Sequence, residues 1–458
     1  MINLFEYQNK QEFDGSFNGL EDFLDDIWRK REKNSFYINE DVDKIEVQQF
    51  LQFFHKTNEL KSNKYVGVIH FEGKRINLLP KIFYDSSRDS QLDVPNIQNH
   101  ILWWLSYCRK IKFPSYQSSL GSIQNDFFEV LIYLFSKYTR ALLSSSVYQQ
   151  YEEVDKEISY IKGRLNTNEY INENLSKARW HLLNCTYDSF VVDNKFNRII
   201  KQVTTLLFNE TSSADSKKNL REILFILDEV SDTRSTAEEC SSIQFNPMFG
   251  DFEIVRDYCY LFLKNCISLE YKNNLKLFAF LLPMEYVFED FIFGFIEKEI
   301  KEVKAKPQIG STYLDQGETF SLRPDLFIEI DSRNVIADTK YKIIYSDDKD
   351  PKSGISQNDL YQMLAYAVRF KINEIILFYP DNIKNYQVKE SNIIIKDELA
   401  EGSEINIKTY QLPIINRDLF DQEINSEKEL SKMFENTRIK LIDKIKEILL
   451  FSPITPSE

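Results

Sequence analysis

The chain has 458 residues, 43% of them apolar and 14% aromatic, with only 12 Gly and 12 Pro. That composition supplies core for two or three domains and excludes a disordered or fibrous chain. A formal net charge of −14 disfavours unaided grip on nucleic acid, which draws mainly on Lys and Arg, unless basic residues gather on one face or a partner holds the polymer.

The five cysteines (Cys108, Cys185, Cys240, Cys259, Cys266) contain no CxxC pair. Neither a zinc cluster nor a disulfide framework is expected, and a reduced, cytoplasmic setting fits. Four scattered histidines (His55, His70, His100, His181) do not suggest a His-based site. The polar, acidic start MINLFEYQNKQEFDG lacks the apolar segment of a signal peptide.

In chain order, Lys44 to Lys56 carries Ile45, Phe50, Leu51 and Phe54 at helical spacing. Tyr65 to Phe71 and Arg75 to Phe83 flank Glu72-Gly73-Lys74 and predict a hairpin. Ile101 begins a helical stretch. Between positions 119 and 280 the pattern is mostly helical, with apolar faces over Phe127 to Leu143 and Asn197 to Phe208. Asn209 to Lys218 and Thr233 to Ser242 are polar enough for surface loops. Leu275 to Ile296 is the most apolar stretch, but Pro283, Glu285, Glu289 and Asp290 interrupt it; it reads as a buried helix, and no membrane span is expected. From about Met284 onward helices and strands alternate, ending in a charged helix from about Glu427 to Leu450, the pattern of an α/β domain.

The chemistry concentrates in Ser321 to Lys342 (SLRPDLFIEIDSRNVIADTKYK). An apolar run enters the turn Asp331-Ser-Arg-Asn334 and leaves through Val335-Ile-Ala337. With a two- or four-residue loop, opposed positions sum to an odd number, so Asp325 faces Asp338 or Lys340. Asp338 and Lys340, two apart, share a face. An odd-length loop would put Asp325 on the other face. Two carboxylates beside an ammonium suit phosphodiester hydrolysis: hard oxygen ligands favour magnesium, and a lysine can polarise water or stabilise developing charge. The competing reading is an edge hairpin with solvated charges, and Asp-x-Lys alone is common.

Two helices sharpen the pattern. Glu285 and Glu289 flank the stripe Phe288, Phe291, Ile292, Phe295, so Glu289 is a candidate third carboxylate. Gln362 and Tyr366 project from one face of Gln357 to Ala367, and Gln362 needs a polar partner.

A helix Glu, Pro-Asp, Asp-x-Lys and Gln-xxx-Tyr in that order resembles the RecB-like branch of the PD-(D/E)xK nucleases. More specifically the chain resembles the McrC family, nuclease subunits of the McrBC 5-methylcytosine-dependent restriction system. The matching pieces are Val66-Gly-Val-Ile69 with Leu79-Pro-Lys-Ile82, Ile161-Lys-Gly-Arg-Leu165, Asp193-Asn-Lys-Phe-Asn-Arg198, Phe288-Glu-Asp-Phe291, Arg323-Pro-Asp325, Asp338-Thr-Lys340 and Asp359-Leu-Tyr-Gln-Met-Leu-Ala-Tyr366. The resemblance implies a magnesium-dependent DNA endonuclease in which Asp325, Asp338 and Lys340 are catalytic, with Glu289 and Gln362 assisting and Asp325, Asp338 and Glu289 holding metal. It implies that an McrB-like AAA+ GTPase hexamer, stimulated by this chain, recognises methylated double-stranded DNA. The expected organisation is multidomain α/β: a β-containing, GTPase-contacting domain at 1–118, a mostly helical middle at 119–280, and a PD-(D/E)xK restriction-endonuclease-like domain at 281–458. The rivals are a stand-alone or helicase-associated RecB-like repair nuclease and a non-catalytic adaptor activating an AAA+ motor.

Elsewhere the plainer readings lead. Lys81 is expected as a solvated strand end, Arg164 as a salt-bridge partner, and Asn197 and Arg198 as helix-opening and surface-pairing residues. Trp103 and Trp104 are expected in a core or interface, and the Lys-rich C-terminal helix as a mixed, solvated face.

Overall fold

The computed structural model describes residues 2–30, 48, 50–86, 94–109, 127–270, 276–307, 312–330, 333–343, 355–384, 391–397, 403–421 and 427–450. They form two compact units, one of Met1–Val130 with Asn265–Glu458 and the other of Leu131–Lys264. Helices and several sheets occur in this mixed α/β architecture. No described helix is long and apolar enough to cross a membrane.

In the first unit, the expected hairpin pairs Tyr65–Phe71 with Lys74–Leu79. Its two turn residues, Glu72 and Gly73, have φ of 49° and 71°; two successive left-handed residues match the right-handed twist of the flanking strands. A five-stranded sheet forms in the order Ile2–Phe5, Lys74–Leu79, Tyr65–Phe71, Lys276–Pro283, Cys266–Glu270. The apolar stretch read as one helix is therefore a strand up to Pro283, paired Leu277↔Phe71 through Pro283↔Tyr65, and becomes helical only over Met284–Glu299. A short apolar run does not distinguish a buried strand from a helix by periodicity, and Pro283 prevents one helix from running through. Likewise Leu51–Phe54, inside the expected Lys44–Lys56 helix, is a strand paired with Glu59–Ser62, while 44–47 lie outside the described residues. The helix of this region is Phe17–Lys30, which buries Phe17, Leu20, Phe23, Leu24 and Trp28 in one cluster.

A second, six-stranded sheet carries the motif-bearing segment. Its order is Lys304–Pro307, Leu326–Ile330, Arg333–Thr339, Glu374–Pro380, Ser403–Leu412, Ser391–Asp397. Arg333–Thr339, Glu374–Pro380 and Ser403–Leu412 run parallel, and the flanking pairs are antiparallel. A parallel pair needs a crossover, and the helix Gln357–Phe370 lies in the one between the first two of these strands. Its Met363, Tyr366 and Ala367 pack against Ile336, Ile375, Leu377 and Ile407. Trp103 and Trp104 are core residues, 4% and 2% exposed. The last helix, Glu427–Leu450, pairs its own basic residues with acids, Arg438 with Glu299 and Glu435 and Lys444 with Glu447, as its mixed charge predicts.

The second unit combines helices with a three-stranded sheet, Gln150–Ile158, Leu183–Val191 and Arg164–Leu165, which the helical reading of the middle did not contain. Gly163 sits at φ +66°, and a Cβ there would lie 2.3 Å from Thr186 O, so only glycine fits the Ile161–Leu165 connection. Of the expected loop Asn209 to Lys218 only Thr211–Ser213 is irregular: Asn209 and Glu210 end the helix Lys195–Glu210, and Ser213 caps a helix Ala214–Ile226. Thr236 and Glu239 form a capping box that opens a short helix inside the other expected loop. Arg198 pairs with Asp193 at 2.7 Å, the expected surface pairing. Arg164 is exposed and forms no ion pair with any described residue.

Candidate functional site

Strand register brings the motif residues together. Leu326↔Ala337 through Ile330↔Arg333 is the observed pairing, the odd-sum register that a two-residue connection gives; the connecting Asp331 and Ser332 lie outside the described residues. Continued one step, that register sets Asp325 opposite Asp338. Pairing of the strands stops at Leu326. Beyond it a side chain takes over: Asp325 Oδ2 accepts the Thr339 N–H at 2.8 Å and the Thr339 hydroxyl at 2.8 Å. On the other side, the Lys340 N–H donates to Phe378 O of the parallel neighbour at 2.8 Å. The backbone carrying Asp338 and Lys340 is thus fixed from both edges.

Asp338 is 1% exposed. The Lys340 ammonium lies 2.5 Å from its Oδ2, yet Oδ2 has no partner in hydrogen-bond geometry. Burial, then repulsion from Asp325, push the Asp338 carboxyl well above the ordinary range, against the pull of Lys340. Burial alone would lower the Lys340 ammonium, but Asp338 and Asp325 outweigh it and hold the amine protonated. Both members of the pair thus retain protons more tightly than in water, because one cation does not offset burial together with a second carboxylate.

Lys340 Nζ also donates to Gln362 Oε1 at 3.1 Å. Gln362 Nε2 donates to the Tyr366 hydroxyl at 2.8 Å, and that hydroxyl donates to Arg323 O at 3.1 Å. The Gln362–Tyr366 face therefore joins the helix to Lys340 and to the residue preceding Pro324-Asp325. Glu289 is half-buried on the neighbouring helix, one turn after the exposed Glu285. It lies within electrostatic reach: burial first, then Asp338, Asp325 and Glu289 raise the Tyr366 phenol. Among the described residues no three His, Cys, Asp or Glu side chains are gathered closely enough to hold a metal ion. A buried carboxylate oxygen lacking a directed donor, opposite a second carboxylate, does fit magnesium, which takes one or two carboxylates and keeps several waters.

Sequence reasoning passed over three participants. Thr339 sits between the two motif residues and anchors Asp325. Lys342 pairs with Asp359 at 2.7 Å; it is the next alternate position of the strand pattern Asp338-x-Lys340-x-Lys342, which was the available signal. Lys81, expected as a solvated strand end, instead has its ammonium 4.4 Å from the centroid of the buried Tyr341 ring; no local pattern announces that long-range contact.

The family model for the McrBC 5-methylcytosine restriction system component matches residues 60–380, well over half of the chain. A comparison with curated proteins finds no match. Among solved structures, the fold is similar to a chain of the refined half-complex from a tetradecameric assembly of Thermococcus gammatolerans McrB AAA+ hexamers with bound McrC, with a TM-score of 0.63, 16% identity, and coverage of 95% of this chain and 99% of that one. A chain of the Thermococcus gammatolerans McrBC complex, seen by cryo-electron microscopy, aligns with a TM-score of 0.49, 18% identity, and coverage of 65% of this chain and 88% of that one.

Proposed function

The chain belongs to the family of McrBC 5-methylcytosine restriction system components, and from that premise we propose that it is the DNA-cutting subunit, a magnesium-dependent endonuclease of the PD-(D/E)xK type. The observation that carries this reading is the single constellation of Asp325, Asp338, Lys340 and Gln362 at one end of a hairpin, with a buried Asp338 oxygen lacking a directed donor. Asp325 and Asp338 would hold magnesium, with Glu289 a third candidate ligand; the ion, when bound, supplies positive charge at the scissile phosphate and acidifies the attacking water. Lys340 orients that water or stabilises charge developing on the phosphate. Gln362, itself held by Tyr366, fixes the lysine. The domain at 281–458 holds this centre in our reading, 1–118 faces the partner, and 119–280 lies between them.

The partner is an McrB-like AAA+ GTPase hexamer that recognises the methylated double-stranded DNA. Support comes from the similar fold in the assembly of McrB hexamers with bound McrC and from the −14 net charge, which leaves the grip on DNA to another chain. The test combines the chain, an McrB-like AAA+ GTPase, GTP, magnesium, and methylated or unmodified plasmid. Wild type cuts the methylated plasmid. Lys340→Ala loses about 10²–10³ in cutting rate, the range for removing one donor that stabilises developing charge, yet still stimulates GTP hydrolysis. Cutting by Lys340→Ala at the wild-type rate would refute the site; partner-independent cutting by the isolated chain would favour the stand-alone repair nuclease.

Metal affinity also acquires a predictable pH dependence. Asp338 titrates near neutrality, pushed up to about 7, and the metal must displace its proton. Magnesium or manganese affinity of the isolated chain therefore rises with pH, by up to roughly tenfold per unit below that value, and levels off above it. Calorimetry in two buffers of different ionisation enthalpy detects the released proton; an affinity that is flat from pH 5.5 to 7.5 contradicts the assignment.

A further inference from the structure

The segment Leu79-Pro-Lys-Ile82 ends a strand of the N-terminal sheet, and the proposed centre makes no use of it. It sits in a buried junction with the strand end that carries Lys340. The Lys81 N–H donates to Glu6 Oε2 at 3.2 Å, the Glu6 N–H donates to Leu79 O at 3.0 Å, and the Ile383 N–H donates to Ile82 O at 2.9 Å. These bonds tie the segment to the N-terminal strand on one side and to the turn that follows Glu374–Pro380 on the other. From this anchored backbone the Lys81 ammonium reaches 4.4 Å from the Tyr341 ring centroid. Tyr341 directly follows Lys340, is 3% exposed, and rests on Phe288 at 5.8 Å between ring centroids. Phe288 precedes Glu289 on its helix. Lys81 and Phe288 therefore both hold the residue next to Lys340.

The charges facing Lys81 are mixed. Burial lowers its ammonium, Glu6 and Glu285 raise it, and Lys342 lowers it. Glu6 is 1% exposed. A cation over an aromatic face is drawn to the negative face of the ring, the more strongly the less water screens it. Lys81 is half-buried, and its ammonium lies nearer the Tyr341 ring than the Tyr7 ring, whose centroid is 5.8 Å away.

We infer that Lys81 is a positioning residue for the centre, holding Tyr341 and through it the strand end that presents Lys340. The inference rests on the nuclease reading for its effect on cutting, but its structural core is independent of that reading. In it the N-terminal sheet, besides any role toward a partner, forms part of the wall of the cutting centre.

The experiment compares wild type, Lys81→Met, Lys81→Arg and Lys340→Ala in the full chain with its AAA+ partner. Lys81→Met keeps the apolar stem and removes the charge. Its single-turnover cutting rate is expected to fall by about tenfold to about a hundredfold, the scale of a small misplacement of a reacting group. GTPase stimulation stays at the wild-type level, and Lys81→Arg recovers most of the rate. In parallel, amide hydrogen exchange of the isolated chain is followed at Lys340, whose N–H is bonded to Phe378 O. Faster exchange there in Lys81→Met, with the rest of the sheet unchanged and Lys81→Arg restored, is the expected result. If Lys340→Ala is inactive while Lys81→Met cuts at the wild-type rate, the inference is overturned and the nuclease reading stands. If wild type itself does not cut, the nuclease reading fails, and Lys340 exchange alone decides: local loosening in Lys81→Met upholds the positioning role, and unchanged exchange overturns it.

Discussion

In the nuclease we propose, Asp338→Asn is expected to abolish cutting and, in the metal-free chain at pH 8, to raise the melting temperature. The first half follows from losing the proposed metal ligand and the partner of Lys340. The second follows from the sign of the proton linkage. The Asp338 carboxyl binds its proton more tightly in the folded chain, near 7 against an ordinary 3.8. Its contribution to stability is fully present below the ordinary value and is lost as pH rises through about 7. At pH 8 the folded protein carries an ionised carboxylate that burial and Asp325 penalise more than Lys340 repays. Asparagine removes that penalty while leaving a polar group for Lys340. At pH 5.5, where wild type is largely protonated, the two proteins melt closer together. Thermal melts in EDTA at both pH values check this; an asparagine variant less stable than wild type at pH 8 would show that the ion pair dominates. Such a gain on removing a functional group is the usual signature of a site that trades stability for activity.

Gly294→Ala lowers stability despite removing a glycine from a helix interior, a change that alone gains about 1 kcal/mol. Gly294 is buried on Met284–Glu299, and a Cβ there would lie 1.9 Å from Tyr107 O and 3.0 Å from Tyr107 C. Both are backbone atoms, so the overlap is not relieved by a rotamer change. Around this point the two segments interlock: Tyr107 meets Phe295 at 4.9 Å and Phe291 at 5.9 Å between ring centroids, and its hydroxyl donates to Glu299 at 3.0 Å. Separating them costs the about 1–3 kcal/mol typical of overpacking, or more. The same helix carries Glu289 and Phe288, so the proposed cutting is expected to fall with stability. Urea unfolding of Gly294→Ala beside Gly250→Ala, where the nearest atom is 3.4 Å away, provides the check. Equal stability of the two variants would mean that the crossing is looser than these distances indicate.

The legible parts of the molecule are those in which local pattern and tertiary environment agree. The hairpin Tyr65–Leu79 carries its turn chemistry in Glu72-Gly73, and the helix Gln357–Phe370 was visible in its apolar spacing. Asp325, Asp338 and Lys340 were legible because side-chain direction along a strand alternates strictly, so two positions and a loop parity suffice to bring three groups together. The strand Lys276–Pro283 was misread because its apolar run carries no alternation, and periodicity alone does not separate such a run from a helix. Thr339 was missed because its role depends on where pairing of the Leu326 strand stops.

By itself the sequence determined the α/β character, from its alternating elements, and the carboxylate–ammonium set, from spacing along one short segment; it left the hairpin register conditional on loop length, and the structure decided it. Tertiary structure alone decided the burial of Asp338, the bridge from Lys340 through Gln362 and Tyr366 to Arg323, and the delivery of Lys81 to Tyr341. Burial depends on what the rest of the fold stacks over a residue, and Lys81 meets Tyr341 only because segments far apart in sequence pack into one unit. No local spacing encodes such an encounter.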